Sequence, residues 1–140
     1  MQEIRLHFAP TPGDSFSVTL SNSQGEPLGD AVVFTPFLSD DDDAELRWYL
    51  EQFMELPDGG ALVRAQRLEA CLVQWGRQLH QAIFSTPANQ QALAQLLAAP
   101  EPRLLTLVTS DPSLLRLPWE LMADDAGKLA QHVSLRRQLE

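Results

Sequence analysis

The first candidates for nucleophilic or acid–base catalysis in this sequence are its single cysteine and its three histidines, Cys71, His7, His80 and His132. A cysteine becomes a nucleophile when a neighbouring base or cation stabilises its thiolate. Cys71 instead falls on an apolar helical stripe between Leu68 and Trp75. This spacing predicts a buried, unreactive thiol that packs in the core.

The histidines carry no pattern typical of a metal or catalytic site. None has a second ligand-type residue at metal-binding spacing. We predict that His7 and His132 lie on the polar sides of strands, and that His80 lies off the apolar stripe of its helix. All three are therefore expected to be solvated or hydrogen-bonded at the surface.

Four consecutive aspartates, Asp40–Asp43, are the densest acidic cluster. A hard cation needs several oxygens that converge on one point, and consecutive side chains do not converge. The spaced pattern of a calcium loop is also absent. Acidic side chains stabilise the first turn of a helix, so we predict a helix start here, with Asp43 or a neighbour as its cap.

The sequence contains no glycine-rich phosphate loop, serine elbow or paired-carboxylate arrangement. It therefore predicts no catalytic, cofactor-binding or metal-binding residue. Its structural motifs are more informative. Trp75 precedes Gly76 within a long helical pattern, and glycine there costs about 1 kcal/mol relative to alanine. A close helix or strand contact at Gly76 is the expected compensation.

A second structural motif is the sequence Pro118-Trp119-Glu120. Pro118 is suited to open a helical turn, which places Glu120 among the free amide groups of its first turn. Trp119 supplies a large apolar anchor. The favoured interpretation is a structural corner between a strand at 103–109 and a final hairpin, and the alternative is a docking role.

Hydrophobic periodicity predicts the elements that must position these residues. The segments "EIRLHF" and "SFSVTLS" alternate apolar and polar side chains, which predicts a β-hairpin, and "NSQGEPLGD" predicts a loop. Three helices follow: one from the aspartates with a stripe reaching Met54, one over about 61–84, and a short one. Ser85 or Thr86 can cap the short helix, with Pro87 in its first turn.

The last forty residues predict strands and turns. The apolar run "RLLTLVT" suits a strand covered on both faces, and "ADDAG" suits a turn. In "KLAQHVSLRRQL", four apolar side chains share a face and predict a final strand: Leu129, Val133, Leu135 and Leu139. We therefore predict an α/β (α+β mixed) fold, with a sheet covered by helices.

We expect a single domain over residues 1–140. Within it, residues 1–38 form the hairpin and loop, residues 39–100 are helical, and residues 101–140 form the strand, the Pro-Trp-Glu turn and the final strand. The chain has 140 residues, of which 44% are hydrophobic. This length and composition suit one core.

Charge and hydropathy limit the classes of partner. The net charge is −9, and residues 1–60 carry 12 acidic against two basic side chains. Such a chain repels a phosphate backbone, so nucleic-acid binding is not expected. No apolar run approaches the roughly 20 residues that cross a bilayer, and no signal peptide is evident. One cysteine fits a reducing compartment. We expect a cytoplasmic protein with no membrane partner.

The C-terminal motifs resemble a known family. "LPWELM", a short turn, an apolar strand and "SLRRQL" are similar to the entry region of CHAT domains. These are bacterial caspase-like domains that are often joined to tetratricopeptide repeats. Upstream, "WYLEQF", "RLEACLVQWGRQLHQAIF" and "RLLTLVTSDPSLLRLPWELM" resemble the segment that precedes the protease core. The resemblance covers about residues 44–140 and is most specific at 115–137.

The resemblance implies the front portion of a caspase-like fold and, in complete members, a cysteine peptidase. In such peptidases a histidine and a cysteine at the ends of core strands form the catalytic dyad. Those residues come after the arginine that follows the Pro-Trp-Glu motif, which is Arg136 here. His132 precedes Arg136 and Cys71 lies on a helix, so neither is assigned a catalytic role.

Three functions remain open at this point. The leading hypothesis is the non-catalytic N-terminal portion of a CHAT-type peptidase, which packs on a core encoded after Glu140 and on an activating repeat-containing partner. The alternative is a stand-alone protein-interaction or adaptor module that has lost the peptidase core. An unrelated enzyme that acts through acidic groups is disfavoured, because helix starts and loops already explain the acids.

Overall fold

The computed structural model describes residues 2–53 and 59–140. Their strands and helices are β1 Gln2–Pro10, β2 Phe16–Ser21, β3 Pro27–Phe34, α1 Asp40–Trp48, α2 Gly59–Ile83, α3 Pro87–Ala98, β4 Arg103–Thr109, α4 Pro112–Leu115, β5 Ala123–Asp124, β6 Gly127–Lys128 and β7 Ser134–Leu139. A π-helical turn covers Tyr49–Phe53, and 3₁₀ turns cover Trp119–Leu121 and Leu129–Gln131. The predicted mixed α/β fold is confirmed.

Five strands form one sheet in the order β3-β2-β1-β4-β7. The pairs β1–β2 and β2–β3 are antiparallel, whereas β1–β4 and β4–β7 are parallel. Parallel neighbours need a crossover connection. The chain between β1 and β4 includes α1, α2 and α3, and the chain between β4 and β7 runs through α4, two 3₁₀ turns and the β5–β6 hairpin. Leu6 of β1 lies opposite Leu20 of β2 and Leu107 of β4, so one face of the sheet is apolar.

The N-terminal strands follow the predicted alternation, because Ile4, Leu6 and Phe8 are buried while their neighbours are more exposed. The hairpin prediction is confirmed. The loop predicted for residues 22–30 is wrong in its second half, where β3 begins at Pro27. This strand shows no clean alternation because it is mostly exposed and its register with β2 shifts between Val18 and Leu20.

Helix starts were predicted with partial success. Thr86 caps α3 and Pro87 occupies its first turn, as expected. The cap of α1 is Ser39 rather than Asp43, because Ser39 and Asp42 form a reciprocal capping box. The apolar stripe predicted for this helix extends to Met54, which lies outside the described residues.

The stripe of α2 is confirmed at Leu68, Trp75, Leu79 and Ile83, all of which are buried. The prediction for Cys71 is wrong, because its side chain is exposed. At about 100° per residue, Cys71 lies roughly 60° from Leu68 around the helix. That position is the margin of the stripe, where burial depends on neighbouring elements rather than on periodicity.

Strand β4 is buried from Leu105 to Thr109, as its apolar sequence predicted. The predicted turn before the last strand is confirmed as the β5–β6 hairpin. The final strand is shorter than expected, since residues 129–131 form a 3₁₀ turn and β7 begins at Ser134. Leu139 is exposed and does not share a buried face with Leu129.

The chain divides into two compact units, residues 1–36 with 76–140, and residues 37–75. In the smaller unit, Arg64 donates two hydrogen bonds to Glu45, at 3.0 and 2.6 Å. Its guanidinium also lies 3.8 Å from the ring centroid of Trp48. The single domain expected over residues 1–140 stays a prediction. In the described ranges, no helix combines the length and apolar character needed to span a membrane.

Candidate functional site: the Trp119 corner and the edge strand

The Pro-Trp-Glu motif forms a tight corner, here called the Trp119 corner and defined as residues 111–121. Asp111 caps α4 by accepting a hydrogen bond from the backbone N–H of Ser113. A second bond, from the Ser113 hydroxyl, is the main reason that the pKa of Asp111 is lowered. Pro118 then precedes the 3₁₀ turn Trp119–Leu121. The predicted structural corner between β4 and the last strands is present.

Trp119 fixes this corner to the sheet. Its side chain is fully buried, and its ring centroid lies 5.3 Å from those of Phe8 and Phe34. Its indole Nε1 donates a 3.0 Å hydrogen bond to the carbonyl of Leu114. The largest apolar side chain of the corner is therefore buried with its one polar group satisfied, which is the condition for burying tryptophan without penalty.

Gly76 lets α2 approach the same corner. A Cβ atom at this position would lie 1.9 Å from the carbonyl oxygen of Leu121 and 2.8 Å from its carbonyl carbon. Real Cβ atoms do not come this close to a backbone. The expected compensation for a mid-helix glycine is thus confirmed, and its partner is a 3₁₀ turn rather than a helix or strand.

Glu120 lies in the first turn of the 3₁₀ segment, as predicted, and its own backbone N–H contributes to lowering its pKa. Its main partner was not expected. Its two carboxylate oxygens accept hydrogen bonds from Arg137 of β7, at 2.5 and 2.6 Å. This bidentate pair is the main reason that the pKa of Glu120 is lowered below its usual value. Arg137 also donates to the carbonyls of Leu115 and Leu117, at 2.7 and 3.2 Å. Arg137, which the sequence motif did not single out, therefore holds the corner to β7.

Arg136 points to the opposite face of β7, because successive strand residues alternate. It donates to Glu3 at 3.2 Å, and Glu3 also accepts 2.5 Å and 3.5 Å hydrogen bonds from Thr106 and Arg5. The Glu3 side chain is only 5% exposed. Arg5 in turn reaches Gln138 at 3.3 Å. Sequence analysis missed Glu3, because nothing local to it indicates partners more than 100 residues away.

These contacts hold β7 on both faces, and its outer edge has no strand beside it among the described residues. The N–H of Glu140 donates to the carbonyl of Thr109, so even-numbered positions point toward β4. The backbone groups of Leu135, Arg137 and Leu139 consequently point outward. An edge of this kind is a template for pairing with another strand.

The other residues considered for chemistry lie outside residues 111–121. Asp40–Asp43 form the first turn of α1, as predicted. His7 is half-exposed on β1, with its Nδ1 4.0 Å from Glu140. His132 follows the 3₁₀ turn at residues 129–131 and is exposed, so its predicted place on a strand is wrong. Among the described residues, no three acidic, histidine or cysteine side chains form a metal-binding group.

His80 departs furthest from its prediction. Its side chain is only 15% exposed, whereas a surface histidine was expected. Its ring packs 5.4 Å from that of Phe84, centroid to centroid. Burial lowers its pKa, although the nearby Asp124 partly opposes this effect. The helical pattern placed His80 off the apolar stripe correctly, but the segments after β4 cover that side of the helix.

Comparisons of the chain with protein-family models, with curated proteins and with solved structures found no match. The fold and the site define a mixed α/β domain. Its sheet has the parallel strand β7 at one edge, and side-chain hydrogen bonds from Arg136 and Arg137 hold that strand in place. The resemblance to CHAT domains stays a prediction and enters the proposal below.

We expect Gly76→Ala to destabilise the larger unit by roughly 1–3 kcal/mol, because the added methyl group overpacks against the Leu121 carbonyl. The sign of the change in unfolding free energy is informative, since a glycine-to-alanine substitution in a free helix normally stabilises the helix by about 1 kcal/mol. Urea unfolding measures the change, with Gln78→Ala on the exposed side of α2 as the control. An increase in stability would contradict the close contact.

Glu120→Gln tests the link between the corner and β7. Because the folded state lowers the pKa of Glu120, its contribution is present above the carboxyl's usual pKa and is lost as the pH falls through the folded value. The variant should lose about 1 kcal/mol or less at pH 7, since the pair is partly exposed. Unfolding at a series of pH values should show this difference shrink progressively as the pH falls below the usual pKa of a glutamate side chain. A loss of stability that stays the same at every pH would contradict the role of the Glu120–Arg137 pair.

Proposed function

We infer that this chain is the non-catalytic N-terminal portion of a CHAT-type caspase-like cysteine peptidase, and that it packs on the peptidase core through β7. The observation that carries the proposal is the tethered parallel edge described above. Leu135, Arg137 and Leu139 present their backbone groups to a further strand, and β7 is already held in an extended form. Because β7 is already ordered, pairing with a further strand costs this chain little conformational entropy.

Parallel sheets support the same conclusion. Their strands are normally covered on both faces, and an unpaired edge strand is a template for a further strand. Strands β1, β4 and β7 run parallel and follow one another in a single direction across the sheet. A core strand placed beside β7 would continue this series and would also cover Leu139, whose side chain is 54% exposed.

The proposal assigns the chemistry to the partner. The histidine and cysteine of the dyad would belong to the core, where the thiolate attacks a peptide carbonyl and the imidazole transfers the proton. This chain would contribute the sheet, the Trp119 corner and the β7 edge. Cys71 and the histidines have no part in the proposed reaction. A repeat-containing partner would activate the assembled peptidase.

Leu139→Pro tests the edge. Proline removes the outward N–H of residue 139 but leaves the inward bond of Glu140 to β4 intact. We expect the tagged wild-type chain, expressed in its native cells, to co-purify with a protein that carries a caspase-like histidine and cysteine. The variant should recover at least about tenfold less of it, as loss of strand pairing implies. Mass spectrometry identifies and quantifies the partner.

Leu139→Ala is the matched control, because it removes the same side chain and keeps the N–H. It should retain most of the complex. A stable complex with a protein that lacks a peptidase core would favour the adaptor module instead. Self-association that Leu139→Pro abolishes would mean that β7 pairs with a second copy. Equal recovery with both variants would show that β7 is not the docking edge.

The purified 140-residue chain should show no peptidase activity on fluorogenic peptides, and Cys71→Ala should change nothing. The physical reason is that, among the described residues, no hydrogen bond joins the exposed Cys71 thiol to a base that could stabilise its thiolate. Activity that appears in the chain alone and is lost in Cys71→Ala would overturn the assignment of the dyad to residues outside this chain. Activity in both would indicate a contaminating peptidase, which an active-site-directed cysteine reagent identifies.

A further inference from the structure

A pocket of about 190 Å³ lies within the larger compact unit, between the ends of α2 and α3, the start of β4 and the β5–β6 turn. It is separate from the β7 edge used above. Its walls include both polar and apolar side chains, of which six matter here: His80, Leu97, Arg103, Asp124, Leu129 and His132. We call it the His80 pocket.

The first sign of a ligand is the imidazole of His80. Its Nε2 atom is buried, and no side chain or backbone group in the described residues hydrogen-bonds to it. A buried polar atom without a partner costs free energy that a hydrogen-bonding ligand would recover. Because burial lowers the pKa of His80, the ring is neutral at pH 7 and Nε2 can accept a hydrogen bond.

The second sign is the position of Asp124. Its Oδ2 atom lies 3.9 Å from His80 Nε2, which is too far for a direct hydrogen bond. Its Oδ1 atom accepts a 2.8 Å bond from the N–H of Ala126, so the carboxylate is held in place. His80 Nε2 and Asp124 Oδ2 are both acceptors, and at this separation one ligand group can donate a hydrogen bond to each of them. An ammonium group has the three N–H bonds and the charge that this arrangement favours.

Arg103 supplies the opposite charge. Its Nε and Nη1 atoms donate to the carbonyls of Ala99 and His132, at 2.7 and 3.2 Å, and these bonds fix the guanidinium. A guanidinium has five N–H donors, so a fixed one still has donors to offer a carboxylate. Leu97 and Leu129 contribute apolar wall to the same pocket.

We propose that the His80 pocket binds a free α-amino acid with an aliphatic side chain. The ammonium donates to His80 Nε2 and Asp124 Oδ2, the carboxylate accepts from Arg103, and the side chain packs against Leu97 and Leu129. The volume is consistent with this ligand, because a cavity of about 150 Å³ holds benzene, which has six heavy atoms. Leucine, with nine, is the probe of choice.

The test is a titration of the isotopically labelled 140-residue chain, followed by NMR chemical shifts. Leucine should shift the resonances of residues around the pocket at millimolar concentration or below. Leucinamide lacks the carboxylate and N-acetylleucine lacks the ammonium, so each should bind at least about tenfold more weakly. Glycine should also bind more weakly, because it lacks the apolar side chain.

Asp124→Asn and Asp125→Asn form a matched pair, since both remove one negative charge from the same turn. Asp124 faces the pocket, whereas the Asp125 side chain is 97% exposed and pairs with Arg77 at 3.4 Å. Asp124→Asn keeps the oxygen that accepts from Ala126, so it should fold, and it should weaken leucine binding at least about tenfold. Asp125→Asn should leave binding unchanged.

Thermal unfolding of each variant checks that the fold is retained. Three results would overturn the proposal. The first is that leucine causes no chemical-shift change at about 10 mM, which is on the order of the weakest specific small-ligand affinities. The others are equal binding of leucine and its two blocked derivatives, and an equal loss of leucine binding in both aspartate variants. The ligand derivatives decide the question on the wild-type chain even if Asp124→Asn does not fold. The titration is independent of the β7 edge, so its failure leaves the proposed function untouched.

Discussion

The burial of Trp119 between Phe8 and Phe34 is the interaction on which the C-terminal part of the structure depends. It attaches a short, irregular segment to the sheet. Replacing a buried tryptophan by alanine typically costs 3–5 kcal/mol, which is a large fraction of the stability of a small domain. The positions of Glu120 and Leu121 follow from this anchor, and so do the contacts that these residues make with Arg137 and Gly76.

The anchor also explains why β7 can be an exposed strand and still be well defined. Few apolar side chains hold it, since Leu135 is half-buried and Leu139 is exposed. Instead, Arg137 binds the corner on one face and Arg136 binds the buried Glu3 on the other. The face of the sheet that carries Arg136 also carries Glu3 and Arg5, and the charged network around Glu3 occupies it.

The His80 pocket arises from the same construction. The β5–β6 hairpin follows the corner directly and brings Asp124 to within 3.9 Å of His80. A fold optimised for stability alone would give a buried imidazole nitrogen a hydrogen-bond partner or replace the residue, because a buried polar atom without a partner lowers the stability of the fold. Proteins retain such violations chiefly at functional sites. The pocket and the β7 edge thus belong to one unit but present different chemistry, the first to a small zwitterion and the second to a polypeptide strand.

The sequence by itself determined the elements whose periodicity is strong. Alternation in β1 and β2, the apolar run of β4, the stripe of α2 and the cap at Thr86 all come from interactions between residues close in sequence, which a single chain displays directly. It also indicated the close contact at Gly76 and the anchor at Trp119. Only the tertiary structure decided the partners. The hydrogen bonds between Glu120 and Arg137, and those around Glu3, depend on which distant segments meet. So do the pairing of strand β3, the exposure of Cys71 and the burial of His80. Burial at the margin of a helical stripe and pairing between distant charges are set by those neighbours, and no local pattern encodes them.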